Sequence, residues 1–302
     1  MAKILVTGGA GFIGGYLCRR LVAEGAEVVV VDDLSSGKAD NVPAEAHFVR
    51  GSVLDPGLMA AVSVGIDLCY HLAAVASVQR CNADLVASHQ TNMAGFVGLI
   101  ELLASSPDVP LVYASSAAVY GASQELPLGE QLRVEPLSPY GADKRGCELH
   151  ARAAFEVYGL ASTGLRFFNV YGPGQDPHSP YSGVISRFAD RIAAGKPLTI
   201  FGDGRQTRDF VFVGDVVEAL IRAGRDPAKS AEVFNVCTGR EVSILELADT
   251  MQTASGIDRE IELAEALKGE VRRSCGDTSA LEQRFGLRPT TTLAEGLLGL
   301  RG

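Results

Sequence analysis

A glycine-rich turn near the N-terminus most restricts how this chain can fold. The segment TGGAGFIG, residues 7–14, joins a short apolar run to a segment of helical character. Its glycines let the backbone turn sharply and approach a pyrophosphate, whose charge is favoured at a helix N-terminus. An ordinary glycine turn is the alternative, but the position between a strand and a helix favours dinucleotide binding. The predicted cofactor contacts in this turn are Gly8, Gly11, Phe12 and Ile13.

Apolar runs alternate with helical segments through the first half of the chain. Strands are predicted over 3–7, 27–31, 46–49, 66–72, 111–115 and 162–167, and helices over 12–24, 82–103 and 140–158. Such alternation is typical of right-handed βαβ units that share a parallel sheet. We therefore predict an α/β fold with a Rossmann-type, doubly wound parallel sheet.

The pattern becomes irregular after Phe168, beginning with a proline- and glycine-rich loop over 171–183. Helices are then predicted over 184–194, 215–222 and 244–253, and strands over 209–213 and 233–236. No flexible linker separates the two halves, so a smaller, interwoven α/β substrate lobe is expected. The predicted division assigns 1–168 and about 208–237 to the dinucleotide-binding domain, and 169–207 and 238–302 to the substrate lobe.

Composition excludes several classes of partner. The formal charge of −9 argues against a nucleic-acid-binding protein, which needs excess Lys and Arg to neutralise phosphates. The N-terminus shows no signal-peptide pattern, and no apolar run approaches the roughly 20 residues that cross a bilayer. Six scattered cysteines without a CxxC pair, and dispersed histidines, indicate reduced thiols and no metal site. We expect a cytoplasmic protein that does not bind a membrane.

Two acidic residues indicate which dinucleotide is bound. Asp32 and Asp33 follow the second predicted strand, and Asp32 lies eighteen residues after Gly14. A carboxylate there accepts both ribose hydroxyls and repels a 2′-phosphate, so NAD is favoured over NADP. Asp32 is the better candidate, whereas Asp33 could simply begin the turn that contains Ser36 and Gly37, also predicted to contact the cofactor.

A tyrosine and a lysine supply the predicted catalytic chemistry. Tyr140 and Lys144 are four residues apart, so a helix places them on one face. An ammonium at that distance stabilises a tyrosinate, which lets Tyr140 act as a base near neutral pH. Ser115 and Ser116 end the preceding strand, where hydroxyls face the crevice in which open α/β sheets bind ligands.

These motifs, taken in order, resemble one known family. The segments are TGGAGFIG (7–14), HLAA (71–74), Asn92, SSAAVYG (115–121), SPYGADK (138–144), RFFNVYGP (166–173) and QTRDFVFV (206–213). They resemble the extended short-chain dehydrogenase/reductase family over nearly the whole chain. The similarity is strongest to its UDP-glucose/UDP-N-acetylglucosamine 4-epimerase branch.

The resemblance implies a role for each matching residue. Tyr140 removes the proton of the sugar 4-hydroxyl, Lys144 holds the nicotinamide ribose, and Ser116 binds the reacting oxygen, with Ser115 as the second choice. The other implied cofactor contacts are Ser52, Val53, Leu72, Ala73, Ala74, Asn92, Ser115 and Phe168. The implied substrate contacts, besides Ser116, are Asn169, Val184, Thr199, Phe201, Arg208, Arg272 and Ser274.

The resemblance also narrows the reaction. Related dehydratases carry an Asp-Glu pair, and related decarboxylases a Glu, where this chain has Ala117 and Ala118. What remains is inversion at C4 of a UDP-sugar or another nucleoside-diphosphate sugar, through a 4-keto intermediate and with NAD regenerated. The alternatives are a dehydratase, decarboxylase, reductase or uronate epimerase of the same family, or a non-catalytic NAD-binding protein.

Departures from the family pattern bear on the substrate and the assembly. Ser52 replaces the usual acidic residue near adenine, and Leu267 replaces an arginine, which leaves Lys268 or Arg272 to hold the diphosphate. Ser274 stands where some relatives have tyrosine, so an N-acetyl group is expected to fit; alternatively, it only ends a strand.

Relatives pair through the helices that match 82–103 and 140–158, which predicts a homodimer. The candidate contacts are Leu85, Leu99, Leu102, Leu103 and Phe155, although each could instead face its own sheet.

Overall fold

A computed structural model describes residues 1–175, 183–266 and 271–299 of the chain. Its strands are β1 (Lys3–Thr7), β2 (Glu27–Asp32), β3 (His47–Arg50), β4 (Leu68–His71), β5 (Leu111–Ser116), β6 (Ser162–Phe167), β7 (Asn169–Tyr171), β8 (Leu198–Phe201), β9 (Thr207–Arg208), β10 (Phe210–Phe212), β11 (Ala231–Val236), β12 (Val242–Ser243) and β13 (Ile261–Ala264). Seven of them form one sheet in the order β11-β6-β5-β4-β1-β2-β3, and every neighbouring pair in it is parallel.

Helices follow most of these strands. They are α1 (Phe12–Ala23), α2 (Pro56–Val62), α3 (Val78–Ala83), α4 (Leu85–His89), α5 (Gly95–Leu103), α6 (Pro139–Tyr158), α7 (Val184–Ala193), α8 (Val213–Arg225), α9 (Ile244–Ser255), α10 (Ser279–Phe285) and α11 (Leu293–Leu298). Within the described ranges, none of the helices is both long and apolar enough to cross a membrane.

Both faces of the large sheet are buried, which explains why its strands are continuously apolar. Successive side chains of a strand point to opposite faces. On β1, Ile4 and Val6 therefore join the cluster packed under α1 and α8, whereas Leu5 joins the cluster packed under α5 and α6. A third apolar cluster lies among α7, β8, β10, α9 and α11, outside the large sheet.

The structure confirms the predicted α/β fold, including the doubly wound parallel sheet and the smaller sheets beside it. The strands predicted over 3–7 and 162–167 have the predicted bounds, and the others of the large sheet agree within about two residues. The strand predicted over 209–213 is shorter, because α8 already begins at Val213. The predicted division into a cofactor domain and a substrate lobe stays a prediction.

The single helix predicted over 82–103 is wrong at its start, because helical geometry is interrupted at Asp84; from Leu85 to Leu103 the chain stays helical. Asp84 leaves helical geometry and its side chain accepts a hydrogen bond from the Ala87 backbone N–H, which caps α4. A π-helical turn over 90–94 then precedes α5. Two of the predicted interface leucines, Leu99 and Leu103, are buried against the chain's own sheet.

The fold brings the predicted motifs to one edge of the sheet. The strand order reverses between β1 and β4, and parallel strands present their carboxyl ends at the same side. Residues following β1, β4, β5 and β6 therefore meet at a crevice, which is the usual ligand position in open α/β sheets.

Candidate active site

A cavity of about 430 Å³ opens at the carboxyl edge of the sheet. The glycine turn, the ends of β2, β4, β5 and β6, and the first turns of α6 line it. The predicted cofactor and catalytic residues in its wall are Gly8, Gly11, Phe12, Ile13, Asp32, Asp33, Ser36, Val53, Leu72, Ala73, Ala74, Ser115, Ser116, Tyr140, Lys144 and Phe168. Asn169 is the predicted substrate residue that lies in the same wall.

The glycine turn comes so close to other backbone that side chains are excluded from it. A Cβ atom on Gly14 would lie 2.1 Å from the Gly8 carbonyl oxygen. Gly8 has a φ of +75°, and a Cβ there would lie 2.5 Å from the Ala73 nitrogen. The turn therefore exposes bare backbone to the cavity at the start of α1, an arrangement that fits the pyrophosphate of a dinucleotide.

The Asp32 carboxylate ties the glycine turn to the loop after β2. Its two oxygens accept hydrogen bonds from the backbone N–H groups of Ala10 (3.0 Å) and Leu34 (2.9 Å). Burial raises the pKa of this carboxyl, and the two backbone hydrogen bonds oppose that effect. Asp33 is exposed and accepts a hydrogen bond from the Ser35 backbone N–H, as expected for a residue that begins a turn.

Three predicted cofactor residues lie outside the cavity wall. Asn92 is buried, and its side-chain oxygen accepts a hydrogen bond of 2.7 Å from the Val75 N–H, so it holds the loop after β4. Gly37 packs against the glycine turn, where a Cβ would lie 2.8 Å from the Ala10 carbonyl carbon. Ser52 lies beside the wall residue Val53, and its hydroxyl accepts from a backbone N–H two residues on.

The catalytic pair owes its position to the start of α6. Ser138 caps this helix by accepting a hydrogen bond from the Gly141 N–H (3.1 Å), and Pro139 occupies the first turn. Lys144 is buried and donates to the Ala114 carbonyl of β5 at 2.9 Å. Its ammonium nitrogen lies 6.0 Å from the ring centre of Tyr140.

The two serines at the end of β5 point to different partners. The Ser116 hydroxyl accepts a hydrogen bond from the Ala118 N–H (3.1 Å), so its hydrogen is left to be donated to a ligand. The Ser115 hydroxyl instead donates to the buried carboxylate of Glu148 at 2.6 Å. The geometry therefore favours Ser116 as the group that binds a reacting oxygen. With Tyr140 and Lys144, the cavity holds a phenol, a hydroxyl and an ammonium, groups suited to moving a proton on and off an alcohol.

The remaining predicted substrate residues are not among the residues that line this cavity. Val184 begins α7, Thr199 and Phe201 lie on β8, and Ser274 is buried after the gap in the described residues. That these residues contact a nucleotide sugar stays a prediction.

Two arginines predicted to hold a diphosphate have protein partners. Arg208 donates to the carbonyl oxygens of Thr207 and Val271, both at 2.8 Å. Arg272 forms a two-pronged ion pair with exposed Asp203, at 2.7 and 2.9 Å, whose hydrogen bonds lower the pKa of the Asp203 carboxyl. Arg272 would therefore have to exchange this partner to bind a phosphate. Leu267 and Lys268 lie outside the described residues.

Several residues of the cavity wall have no counterpart among the predicted site residues. Lys38 and Asn41 follow β2, and the Asn41 side chain donates to the Ala10 carbonyl at 2.8 Å, which ties this loop to the glycine turn. Thr91, Gly174 and Gln175 also line the cavity. Lys38 and Asn41 could have been predicted from their position soon after the second strand. Thr91, Gly174 and Gln175 belong to no local sequence pattern that indicates a ligand site. Among the described residues, no group of His, Cys, Asp and Glu is placed to hold a metal ion.

Comparisons with known proteins agree with this geometry. The NAD dependent epimerase/dehydratase family matches residues 4–237. A UDP-glucose 4-epimerase of Mycolicibacterium smegmatis is 39% identical over 98% of this chain and 96% of its own length. The UDP-glucose 4-epimerase of Thermotoga maritima, solved with UDP-glucose, is 36% identical with a TM-score of 0.94, covering 98% and 96% of the two chains. The UDP-N-acetylglucosamine 4-epimerase of Methanobrevibacter ruminantium, solved with UDP-N-acetylmuramic acid, is 32% identical with a TM-score of 0.94, covering 99% and 96%.

The contact between Gly14 and Gly8 generates a first prediction. Gly14→Ala should push the glycine turn away from the pyrophosphate, because backbone atoms cannot move aside as a flexible side chain would. Losing one hydrogen bond to a charged group costs about 1.5–3 kcal/mol, so NAD affinity should fall roughly tenfold to a hundredfold. Titration calorimetry measures the change. Gly98→Ala is the control, because a Cβ on Gly98 meets open space; equal affinity of both variants would contradict the assignment.

Proposed function

Since this chain belongs to the NAD dependent epimerase/dehydratase family, we propose that it is a nucleotide-sugar 4-epimerase. It inverts C4 of a nucleotide-linked hexose through a 4-keto sugar. The observation that carries the proposal is the meeting of Tyr140, Lys144 and Ser116 in the cavity that also contains the glycine turn. UDP-glucose and UDP-galactose are the proposed substrates, in keeping with the relatives named above.

The cofactor of the family is NAD, and the glycine turn and Asp32 fit it. Bound there, NAD would supply a reversible acceptor for the hydride of the sugar C4. In the proposed mechanism Tyr140 takes the proton of the 4-hydroxyl, and Ser116 donates a hydrogen bond to the same oxygen. Lys144, held by the Ala114 carbonyl, stabilises the negative charge that forms on the phenol oxygen. Tyr140 gives the proton back when the opposite face of C4 is reduced.

A buried histidine beneath the site is uncharged at neutral pH. Burial, followed by the positive charge of Lys144, lowers the pKa of His71 to about 3. One ring nitrogen of His71 lies 2.8 Å from the Thr7 hydroxyl, which joins the ends of β1 and β4. His71 therefore acts as a neutral structural link under the cavity and adds no second cation beside Lys144.

The charges of the cavity favour epimerisation over elimination. Among the described wall residues, the carboxylates are Asp32 and Asp33, both at the ribose end. Ala117 and Ala118 form the 3₁₀ turn after Ser116, where an elimination would require acidic side chains. A reductase or a uronate epimerase on the same scaffold remains an alternative, and product analysis separates them. A non-catalytic NAD-binding protein would have no need of all three catalytic groups.

The proposed substrate range includes N-acetylated sugars. Ser274 is small and buried, and a small residue leaves room for a substituent at C2 of the sugar. One relative named above acts on UDP-N-acetylglucosamine, which supports this breadth.

We also propose a homodimer that uses α4 and α6. Leu149 and Val157 lie two turns apart on one side of α6, and their exposed fractions are 52% and 69%. On α4, which packs against α6, Leu85 and Val86 are exposed as well. A second copy would cover this apolar surface. The cytoplasmic location indicated by the cysteine pattern stays a prediction.

Tyr140→Phe tests the catalytic assignment. The variant should retain NAD and lose turnover by about 10²- to 10⁴-fold, because the group that moves the proton is gone. NMR of UDP-glucose and UDP-galactose mixtures measures inversion at C4, and Tyr158→Phe on the same helix is the control. Unchanged turnover in Tyr140→Phe would remove the assignment. A wild-type enzyme that steadily accumulates NADH with UDP-glucose would contradict the epimerase proposal.

Ser274→Tyr tests the width of the pocket. The phenol should fill the space proposed for the N-acetyl group, so turnover of UDP-N-acetylglucosamine should fall at least roughly tenfold more than turnover of UDP-glucose, a difference of about 1.4 kcal/mol. Parallel assays of both sugars measure the ratio, and Ser274→Ala serves as the control. An equal loss for the two sugars would refute the pocket.

Leu149→Glu tests the dimer. It places a charge on the exposed face of α6 in both copies, where burial in an interface would be costly. Sedimentation should show dimers for the wild-type protein and monomers for the variant. Val64→Glu, at an exposed residue after α2, should remain dimeric. A monomeric wild-type protein would rule out this assembly.

A further inference from the structure

A buried ion cluster lies behind the catalytic residues, between α6 and the strands β5 and β6. The Glu148 side chain is 1% exposed and that of Arg166 is 3% exposed. The two groups are joined by parallel hydrogen bonds of 2.8 Å each, and Arg145 adds a third to the same carboxylate at 2.9 Å. Charge-assisted pairs of this geometry are directional as well as strong.

Hydrogen bonds connect the ion cluster to two neutral side chains, Tyr120 and Asn235. Arg166 donates to the Tyr120 hydroxyl at 2.8 Å, and that hydroxyl donates to the Asn235 side chain at 2.7 Å. Burial alone would raise the pKa of the Glu148 carboxyl, but the hydrogen bonds and charge of Arg166 hold it below its ordinary value. The buried carboxylate is therefore ionised at neutral pH and has fixed partners.

Glu148 is aligned with the catalytic pair. Tyr140, Lys144 and Glu148 are spaced by one helical turn each, so they lie along one face of α6. Lys144 binds the carbonyl of Ala114, and Glu148 accepts from the hydroxyl of Ser115. These two contacts join successive turns of the helix to successive residues of β5, immediately before Ser116.

Such paired contacts restrict both sliding and rotation of α6 along β5. We propose that Glu148 is a positioning residue, which acts through the Ser115 hydroxyl to keep Tyr140 at the distance from Ser116 that proton transfer requires. The inference rests on the proposed function and extends it to Glu148, which is not among the residues that line the cavity. It also gives a reason for the buried ion pair. Such pairs often contribute no more to the stability of a fold than apolar residues of the same volume would.

Variants of Ser115 can distinguish a positioning role of Glu148 from a merely structural one. Ser115→Ala removes the link to β5 but leaves Glu148 paired with both arginines, so no buried charge loses its counter-ion. Ser162→Ala is the matched control, because Ser162 is a buried strand serine whose hydroxyl has no partner among the described residues. Ser115→Thr keeps a hydroxyl at the same place.

Kinetics of C4 inversion give the first test. Catalytic groups must be held within about 0.5 Å, and a displacement of 1 Å can cost about a hundredfold in rate. We expect kcat of Ser115→Ala to fall roughly tenfold with KM unchanged, while Ser162→Ala keeps wild-type kcat and Ser115→Thr restores most of it. A kcat within twofold of wild type, or an equal loss in Ser162→Ala, overturns the proposal.

Crystal structures of the NAD complexes give the second test, which does not depend on the sugar. In Ser115→Ala, α6 should shift along β5 by about 0.5 Å or more relative to the wild-type enzyme. An unmoved helix overturns the positioning role even if kcat falls. A wild-type enzyme that fails to invert C4 would instead contradict the proposed function, and the crystallographic comparison would still decide whether Ser115 and Glu148 position α6.

Discussion

Close contact between bare backbone at the ends of β1 and β4 is the constraint on which the rest of the site depends. Gly14 approaches Gly8, and Gly8 approaches the loop after β4, at distances that leave no room for a Cβ atom. The crevice at the reversal of strand order is open to a pyrophosphate only because these positions carry no Cβ. Asp32 after β2, Ser116 at the end of β5 and the first turns of α6 then line the same cavity at this edge of the sheet.

Charge is distributed unevenly around this crevice. Asp32 lies at one end, and Lys144 lies near the centre, beside a histidine that burial keeps neutral. The buried ion pair of Glu148 with Arg166 lies behind β5, and neither residue is among the described wall residues. Among the described wall residues, no carboxylate other than Asp32 and Asp33 lies in the cavity that contains Tyr140.

Much of the fold could be predicted from local pattern, but several parts could not. Strands buried on both faces are long apolar runs, so those of the large sheet were predicted nearly at their true bounds. The strands β8, β9, β12 and β13 have two to four residues each and were missed, because pairing with a distant partner creates them. The break at Asp84 was missed for a similar reason, since a capping carboxylate competes with helical periodicity.

The sequence by itself determined the cofactor turn, the acidic residue after β2, and the one-turn spacing of Tyr140 and Lys144. Each of these is local, because a few consecutive residues dictate the backbone or share a helix face. Only the tertiary structure decided that the Ser115 hydroxyl is taken by Glu148, which connects α6 to β5, and that Asn92 lies outside the cavity wall and holds the loop after β4. Those outcomes depend on contacts between residues 17 to 33 positions apart, which form only after the sheet and its helices have packed.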